Sequence, residues 1–174
     1  GQTRRVAVPG GFRLRNTASE RVWTTANGKA SFYAHDVPRD TPSHLARERV
    51  RDQIVFTLLT TRSHDQYNTT IYGMDDRYRG VFGQRRVVFI NAEDIRALGM
   101  KDGDWINIRT VWDDGQERRA DSFKLVAYDI PRGNIAAYYP ETNPLVPLSA
   151  VAANAGTPTS KSIPVVLEPG KAAV

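Results

Sequence analysis

From residue 54 onward the chain alternates runs of β-branched and aromatic residues with glycine, proline and Asp/Asn breaks. Residues 54–60, "IVFTLLT", are almost continuously apolar and predict a strand buried on both faces. Residues 85–90, "RRVVFI", predict a second strand. "NAEDIRALG" follows with the marks of a short helix: Asn91 to cap the first turn, Glu93 and Asp94 at the positive helix end, and Gly99 for a left-handed exit. In residues 104–112, Trp105, Asn107, Arg109 and Val111 alternate with Ile106, Ile108, Thr110 and Trp112, the period of a strand. Asp113-Asp114-Gly115 turns the chain, and "RRADSFKLVAYD" returns as its antiparallel partner. "NIAAYYP", the proline-spaced loop "PETNPLVP", the small-residue segment "LSAVAANAG" and a last strand, "SIPVVLEP", complete the pattern. Many short strands, tight turns and few short helices predict a mainly β chain closed into a small barrel. Closure would leave these apolar strands no free edge.

Upstream, "RVWTTANGKASFYA" (residues 21–34) holds Asn27-Gly28 between two short β-prone runs and predicts a hairpin. "HDVPRDTPSH" reads as a linker. The expected organisation is residues 1–40 with the hairpin, 41–53 as linker or short helix, 54–169 as the barrel, and 170–174 as a frayed C-terminal tail.

At 174 residues, 40% hydrophobic and 25% charged, the chain can bury one good core. It contains no apolar run of the roughly 18–20 residues that a membrane helix needs. Its start is basic and lacks the apolar core of a secretory signal. The absence of cysteine excludes disulfides, a thiolate metal site and a cysteine nucleophile within these residues, and fits a cytoplasmic chain. His35, His44 and His64 lack metal-binding spacing. The net charge of +5 allows a solvated basic surface, a phosphate-bearing small ligand or nucleic acid. No block of like charge resembles a nucleic-acid-binding arm. A nucleophile elbow and a phosphate-binding glycine loop are both missing, and no nucleophile–base–acid set is readable.

One stretch departs from ordinary loop composition: "TLLTTRSHDQYNTTIYG", residues 57–73. A strand runs directly into hydroxyls (Thr60, Thr61, Ser63, Thr69), a guanidinium (Arg62), an imidazole (His64) and amides (Gln66, Asn68). Such a mixture suits a polar heterocycle bearing phosphate, with amides on ring edges and Arg and hydroxyls on phosphate oxygens. It equally suits a solvated loop whose Ser, Thr and Asn make local turns. Having no apolar anchors, the loop is expected to be mobile unless a ligand orders it.

"LLTTRSHDQYNT", then "VVFINAEDIRALGMKDGDWINIRT", "TNPLVPL" and "GTPTSKSIPVVLEP" occur in this order. The series resembles the C-terminal molybdopterin-dinucleotide-binding domain of molybdenum and tungsten oxidoreductases, a family with formate dehydrogenases, nitrate reductases and dimethyl sulfoxide reductase. The family pattern runs "L-T-x-R", "I-x-x-x-D-A-x-x-L-G-I-x-x-G-D-x-V", a Pro- and Asn-containing loop, and "T-P-x-x-K". Upstream, "WTTANGKASF" resembles the "TPSGKAEF" stretch joining the preceding domain to this one, so residues 1–40 would include the tail of that domain. The nearest flavour is that of formate-dehydrogenase-like alpha subunits.

The resemblance implies a double-psi β-barrel that holds molybdopterin guanine dinucleotide, a bis-dinucleotide molybdenum cofactor in the parent enzyme. Carried over by motif, Thr60, Thr61, Arg62 and Ser63 would meet the cofactor at the strand mouth, and His64, Gln66, Asn68 and Thr69 would continue that wall. Asn143 matches a pterin-contacting asparagine. Ser160 and Lys161 match a "Y-K" pair, with serine in place of the aromatic residue. In the same loop, Glu141 and Thr142 are expected to be exposed positions of little consequence. The metal's own ligand and any iron–sulfur cluster would lie upstream, and these residues alone would not be an enzyme. The implied partners are the upstream domains of the same polypeptide and an electron-transfer subunit, with no nucleic acid and no membrane span. A parent with a twin-arginine signal would be periplasmic. The alternative is a stand-alone double-psi barrel that mediates protein or nucleic-acid interaction.

Overall fold

A computed structural model describes residues 7–173; residues 1–6 and Val174, the extremes of the expected N-terminal segment and C-terminal tail, lie outside the described residues. The chain divides after Pro38 into two units.

In the first unit the Asn27-Gly28 turn forms. Gly28 has φ +65°, Thr25 Oγ1 donates to the Lys29 carbonyl at 2.7 Å, and Lys29 N–H donates to Asn27 Oδ1 at 3.1 Å. The flanking residues make no strand, which corrects the expected hairpin. Two strands alone are marginal in water without a covered apolar face. Here Phe32 and Tyr33 are exposed, and nothing in the unit covers them.

The second unit opens with α1 (Pro42–Arg49). Thr41 Oγ1 accepts from His44 N–H, and Pro42 takes an early helical position where a missing N–H costs nothing. Its buried Ala46 packs with Val55, Val111 and Val166. β1 (Phe56–Thr61) follows, with Phe56, Leu58 and Thr60 buried and Leu59 facing out. The expectation of a strand buried on both faces is therefore corrected, because a barrel strand turns only one face inward. β2 (Gln66–Tyr67) and β3 (Thr70–Ile71) form a small hairpin inside the polar stretch. Full burial belongs to β4 (Val87–Ile90), whose outer face, Val87 and Phe89, is covered by Val81, Ala136 and Tyr138.

α2 (Ala92–Ala97) is capped by Asn91 Oδ1, which accepts from Glu93 N–H at 2.8 Å, and leaves through Gly99 at φ +69°. β5 (Trp105–Thr110), β6 (Arg119–Ala127), β7 (Asn134–Tyr138) and β8 (Ile163–Pro169) complete the strands. Ile106 and Ile108 point inward from β5 and meet Phe123 and Leu125 of β6 in the main core. The ladder continues to Gly170, whose N–H donates to the Trp105 carbonyl at 2.9 Å. A Cβ at Gly170 would lie 2.7 Å from the Ile106 backbone, so glycine permits this approach.

The strands close in the order β1-β7-β4-β6-β5-β8. β1/β7 and β4/β6 are parallel, and the other four pairs are antiparallel. Exchanging β1, β4, β5 with β6, β7, β8 returns the same pairs in the same directions. The topology thus carries a two-fold repeat that the sequence does not display. This is a double-psi β-barrel. At one mouth, the C-terminal ends of β1 and β7 lie beside the N-terminal ends of β4 and β8.

Candidate functional site

Most of the predicted set converges on that mouth. Thr60 N–H donates to the Ser160 carbonyl at 3.0 Å, and Lys161 Nζ donates to the Thr60 carbonyl, so the segments 60–63 and 160–161 meet. Tyr139 N–H donates to the Thr61 carbonyl at 3.1 Å and brings the loop containing Asn143 alongside. Asn143 is exposed; its backbone N–H donates to the Pro140 carbonyl at 3.0 Å, and its side-chain amide has no hydrogen-bond partner among the described residues. Thr69 is exposed at the tip of the β2–β3 hairpin, next to Asn68 at φ +52°, a conformation that asparagine tolerates.

Gln66, predicted to face a ligand, is instead committed within the protein. Its Nε2 donates to the carbonyls of Tyr139 (2.9 Å) and Asn68 (3.1 Å). Its Oε1 accepts from Arg85 Nη2 (3.0 Å) and Ser63 N–H (3.3 Å). Ser63 is buried, and its Oγ accepts from Arg85 Nη1.

Arg85 therefore lies at the centre, 4% exposed. It also donates from Nε to Glu141 Oε1 (2.7 Å) and from Nη2 to the Tyr139 carbonyl (3.0 Å), with Cζ 5.0 Å from the Tyr138 ring centroid. Sequence reading placed Arg85 only at the start of the strand predicted over residues 85–90 and gave it no role in a site. One signal was available: stepping back by twos from Phe89 and Val87, on the covered face of β4, reaches Arg85.

The proline-spaced loop corrects a second expectation. Glu141 pairs with buried Arg85, and Thr142 is fully buried with its hydroxyl donating to the Tyr138 carbonyl at 2.9 Å. Neither is an idle loop position.

Beside this knot lies a buried acid. Asp76 Oδ2 accepts from Tyr138 Oη at 2.8 Å and Arg79 Nη1 at 2.5 Å, while its Oδ1 has no partner. Burial pushes the Asp76 carboxyl up, but the donors Tyr138 and Arg79 outweigh it and hold the group below the usual carboxylate range. Burial, with the Asp76 carboxylate beside it, pushes the Tyr138 phenol well above its ordinary value. Arg79 Nη1 also reaches the Arg62 carbonyl, at 3.2 Å.

Arg62, Ser63, His64, Tyr78, Arg79 and Tyr128 line an open cleft of about 350 Å³. His64 meets Tyr78 edge-on at 4.4 Å between centroids. Arg77 Nη2 lies 3.0 Å from His64 Nε2, and a guanidinium only donates, so Arg77 is the donor of that contact. Guanidiniums and phenol rings around one cleft suit an anion that carries an aromatic ring. Among the described residues, no three His, Asp or Glu side chains gather as a metal site.

Residues 56–169 match the family described as the molydopterin dinucleotide binding domain. An uncharacterized oxidoreductase of Mycobacterium tuberculosis is 51% identical over 170 residues, a match covering 95% of this chain and 21% of the relative. Protein YdeP of Escherichia coli is 44% identical over 167 residues, with the same two shares, 95% and 21%. The chain thus spans about a fifth of the length of these curated relatives. Among solved structures, acetylene hydratase from Pelobacter acetylenicus aligns over 79% of this chain and 21% of its own, with TM-score 0.53 at 15% identity, a likeness of fold. By the match over its whole barrel, the chain belongs to the molydopterin dinucleotide binding domain family.

Proposed function

We propose that this chain is the part of a larger oxidoreductase that grips the guanine dinucleotide form of molybdopterin at the barrel mouth. The observation carrying this reading is the cleft beside the end of β1, where the guanidiniums of Arg62 and Arg79 stand with His64, Tyr78 and Tyr128 in a barrel of the family. Arg62 is exposed and has guanidinium N–H groups to spare for phosphate oxygens. The uncommitted amide of Asn143 can donate to and accept from a heterocycle edge, and the Thr69 and Ser160 hydroxyls can add contacts. These donors fit an anionic heterocyclic group. When bound, that group supplies the metal-centred redox chemistry, while the chain binds it, orients it and screens its charge.

The parent is proposed to be formate-dehydrogenase-like, supported by the "TTRSHDQYNTT" and "LGMKDGDW" segments. Upstream domains of the same polypeptide are the proposed partners, supported by the fifth of each relative's length that the chain spans. The test uses the full-length protein. Molybdenum and pterin should co-purify at stoichiometric levels, acid hydrolysis should release guanine nucleotide, and Arg62→Ala should lower both contents. A wild-type protein without pterin, or Arg62→Ala with full pterin, would refute the reading. Formate-dependent reduction of a viologen dye tests the finer assignment separately.

A further inference from the structure

We infer that Arg85, which touches no open surface, is the positioning residue of the cofactor mouth: it fixes where Arg62 stands. The inference rests on the proposed function. Arg85, just ahead of β4, joins two other segments that it meets only in the folded chain, holding Ser63 and Gln66 after β1, and Tyr139 and Glu141 after β7. Tyr139 transmits the placement. Its carbonyl is fixed by Arg85 and Gln66, and its hydroxyl accepts from Arg62 Nε at 2.7 Å. Arg62 Cζ stands 5.6 Å from the same ring. The guanidinium facing the cleft is thus oriented by one that never reaches it.

Only arginine can serve here. A planar fork reaches a carboxylate, a hydroxyl, an amide oxygen and a carbonyl together, whereas a lysine ammonium offers three donors from one point. Glu141 compensates the buried charge, and this separates two possible roles. If Arg85 only balanced Glu141, removing both would be harmless. If it positions the mouth, removing both would restore the fold and leave the cofactor loosely held.

The experiment compares full-length Arg85→Lys, Arg85→Ala/Glu141→Ala and Arg62→Ala. Each is purified with cofactor and from cells unable to make it. Melting is read on the cofactor-free protein, and pterin retention after dilution on the loaded one. The expected result is a cofactor-free protein that still folds and melts cooperatively, below wild type, for Arg85→Lys and the double variant, with retention lowered roughly 10–100-fold, as for residues that support a ligand shell. Wild-type retention in either variant, or loss of the cofactor-free fold in both, would overturn the inference. Full retention in Arg62→Ala would instead remove the proposed function, and this inference with it.

Discussion

Arg62 Nε donates to the hydroxyl of Tyr139 across 2.7 Å, and that hydroxyl donates onward to the Asn68 carbonyl at 2.9 Å. A residue leaving β7 thereby fixes an exposed arginine leaving β1. Holding such a side chain before a ligand arrives removes part of the entropy that binding would otherwise cost.

Tyr139→Phe tests this link. The variant keeps the ring beneath the guanidinium and deletes only the hydroxyl. The stability of the cofactor-free protein should fall by no more than about 0.5–1.5 kcal/mol, the net worth of an ordinary hydrogen bond. Pterin content of the full-length protein should fall more visibly, because Arg62 regains rotamers that the hydroxyl now forbids. Melting curves and pterin fluorescence on the same preparations check both halves.

Local patterns proved readable, and long-range polar pairings did not. The alternation in residues 105–110 set Ile106 and Ile108 on one face of a strand, the face that the structure buries, and Asn91 capped the helix it preceded. Those signals sit within a few residues of their effects. Thr60–Ser63 and Ser160–Lys161 could be set in one mouth only through the family resemblance, yet their meeting is explicit in the β1/β8 pairing. The partners of Arg85 lie 22, 19 and 56 residues away at Ser63, Gln66 and Glu141. No periodicity encodes such separations. Composition marks an arginine as a surface residue, because the burial of one depends on a carboxylate that only the fold delivers.

The proline-spaced loop should separate three neighbouring substitutions by kind. Glu141→Ala strands a buried guanidinium and should cost the cofactor-free protein roughly 3–5 kcal/mol. Thr142→Ala removes a buried hydroxyl and its bond to the Tyr138 carbonyl, at about 1–3 kcal/mol. Asn143→Ala should alter stability by under about 0.5 kcal/mol, as an exposed position does, and still reduce pterin content. Urea unfolding of the three variants, paired with pterin analysis, checks the order.

Acid should find Asp76. Its folded-state pKa is below the ordinary value of 3.8, so its stabilisation is complete above that value and is lost as the pH falls through the folded one. The wild-type protein should therefore lose stability below about pH 4. Glu168, held low first by the hydrogen bond from Arg109, contributes in the same direction. Asp76→Asn should be less stable than wild type at pH 7, and the gap should narrow toward pH 3, because the variant has no charge to lose there. Denaturant midpoints at the two pH values give the comparison, and a gap that stays constant would mean Asp76 acts without its charge.

Amide exchange distinguishes a mouth built in advance from one that the cofactor builds. Between β1 and β4 the chain has few apolar anchors, yet its backbone is tied by polar ones. Tyr72 N–H donates to the Asp65 carbonyl at 2.9 Å, Asp76 and Val81 exchange a pair of bonds at 2.7 and 3.1 Å, and Gly83 N–H donates to Asp75 Oδ1 at 2.7 Å. The Arg79–Asp76–Tyr138 contacts pin this segment to β7. Exchange follows local opening, so bonded amides on a pinned segment exchange slowly even where apolar contacts are few. In the cofactor-free protein, Tyr72, Asp76 and Val81 should be protected well above Thr69, at the hairpin tip. Cofactor should then slow exchange chiefly at the tip. If all four exchange at the rate of an unfolded chain until cofactor is added, the polar ties are too weak to hold the segment alone, and the ligand builds its own site.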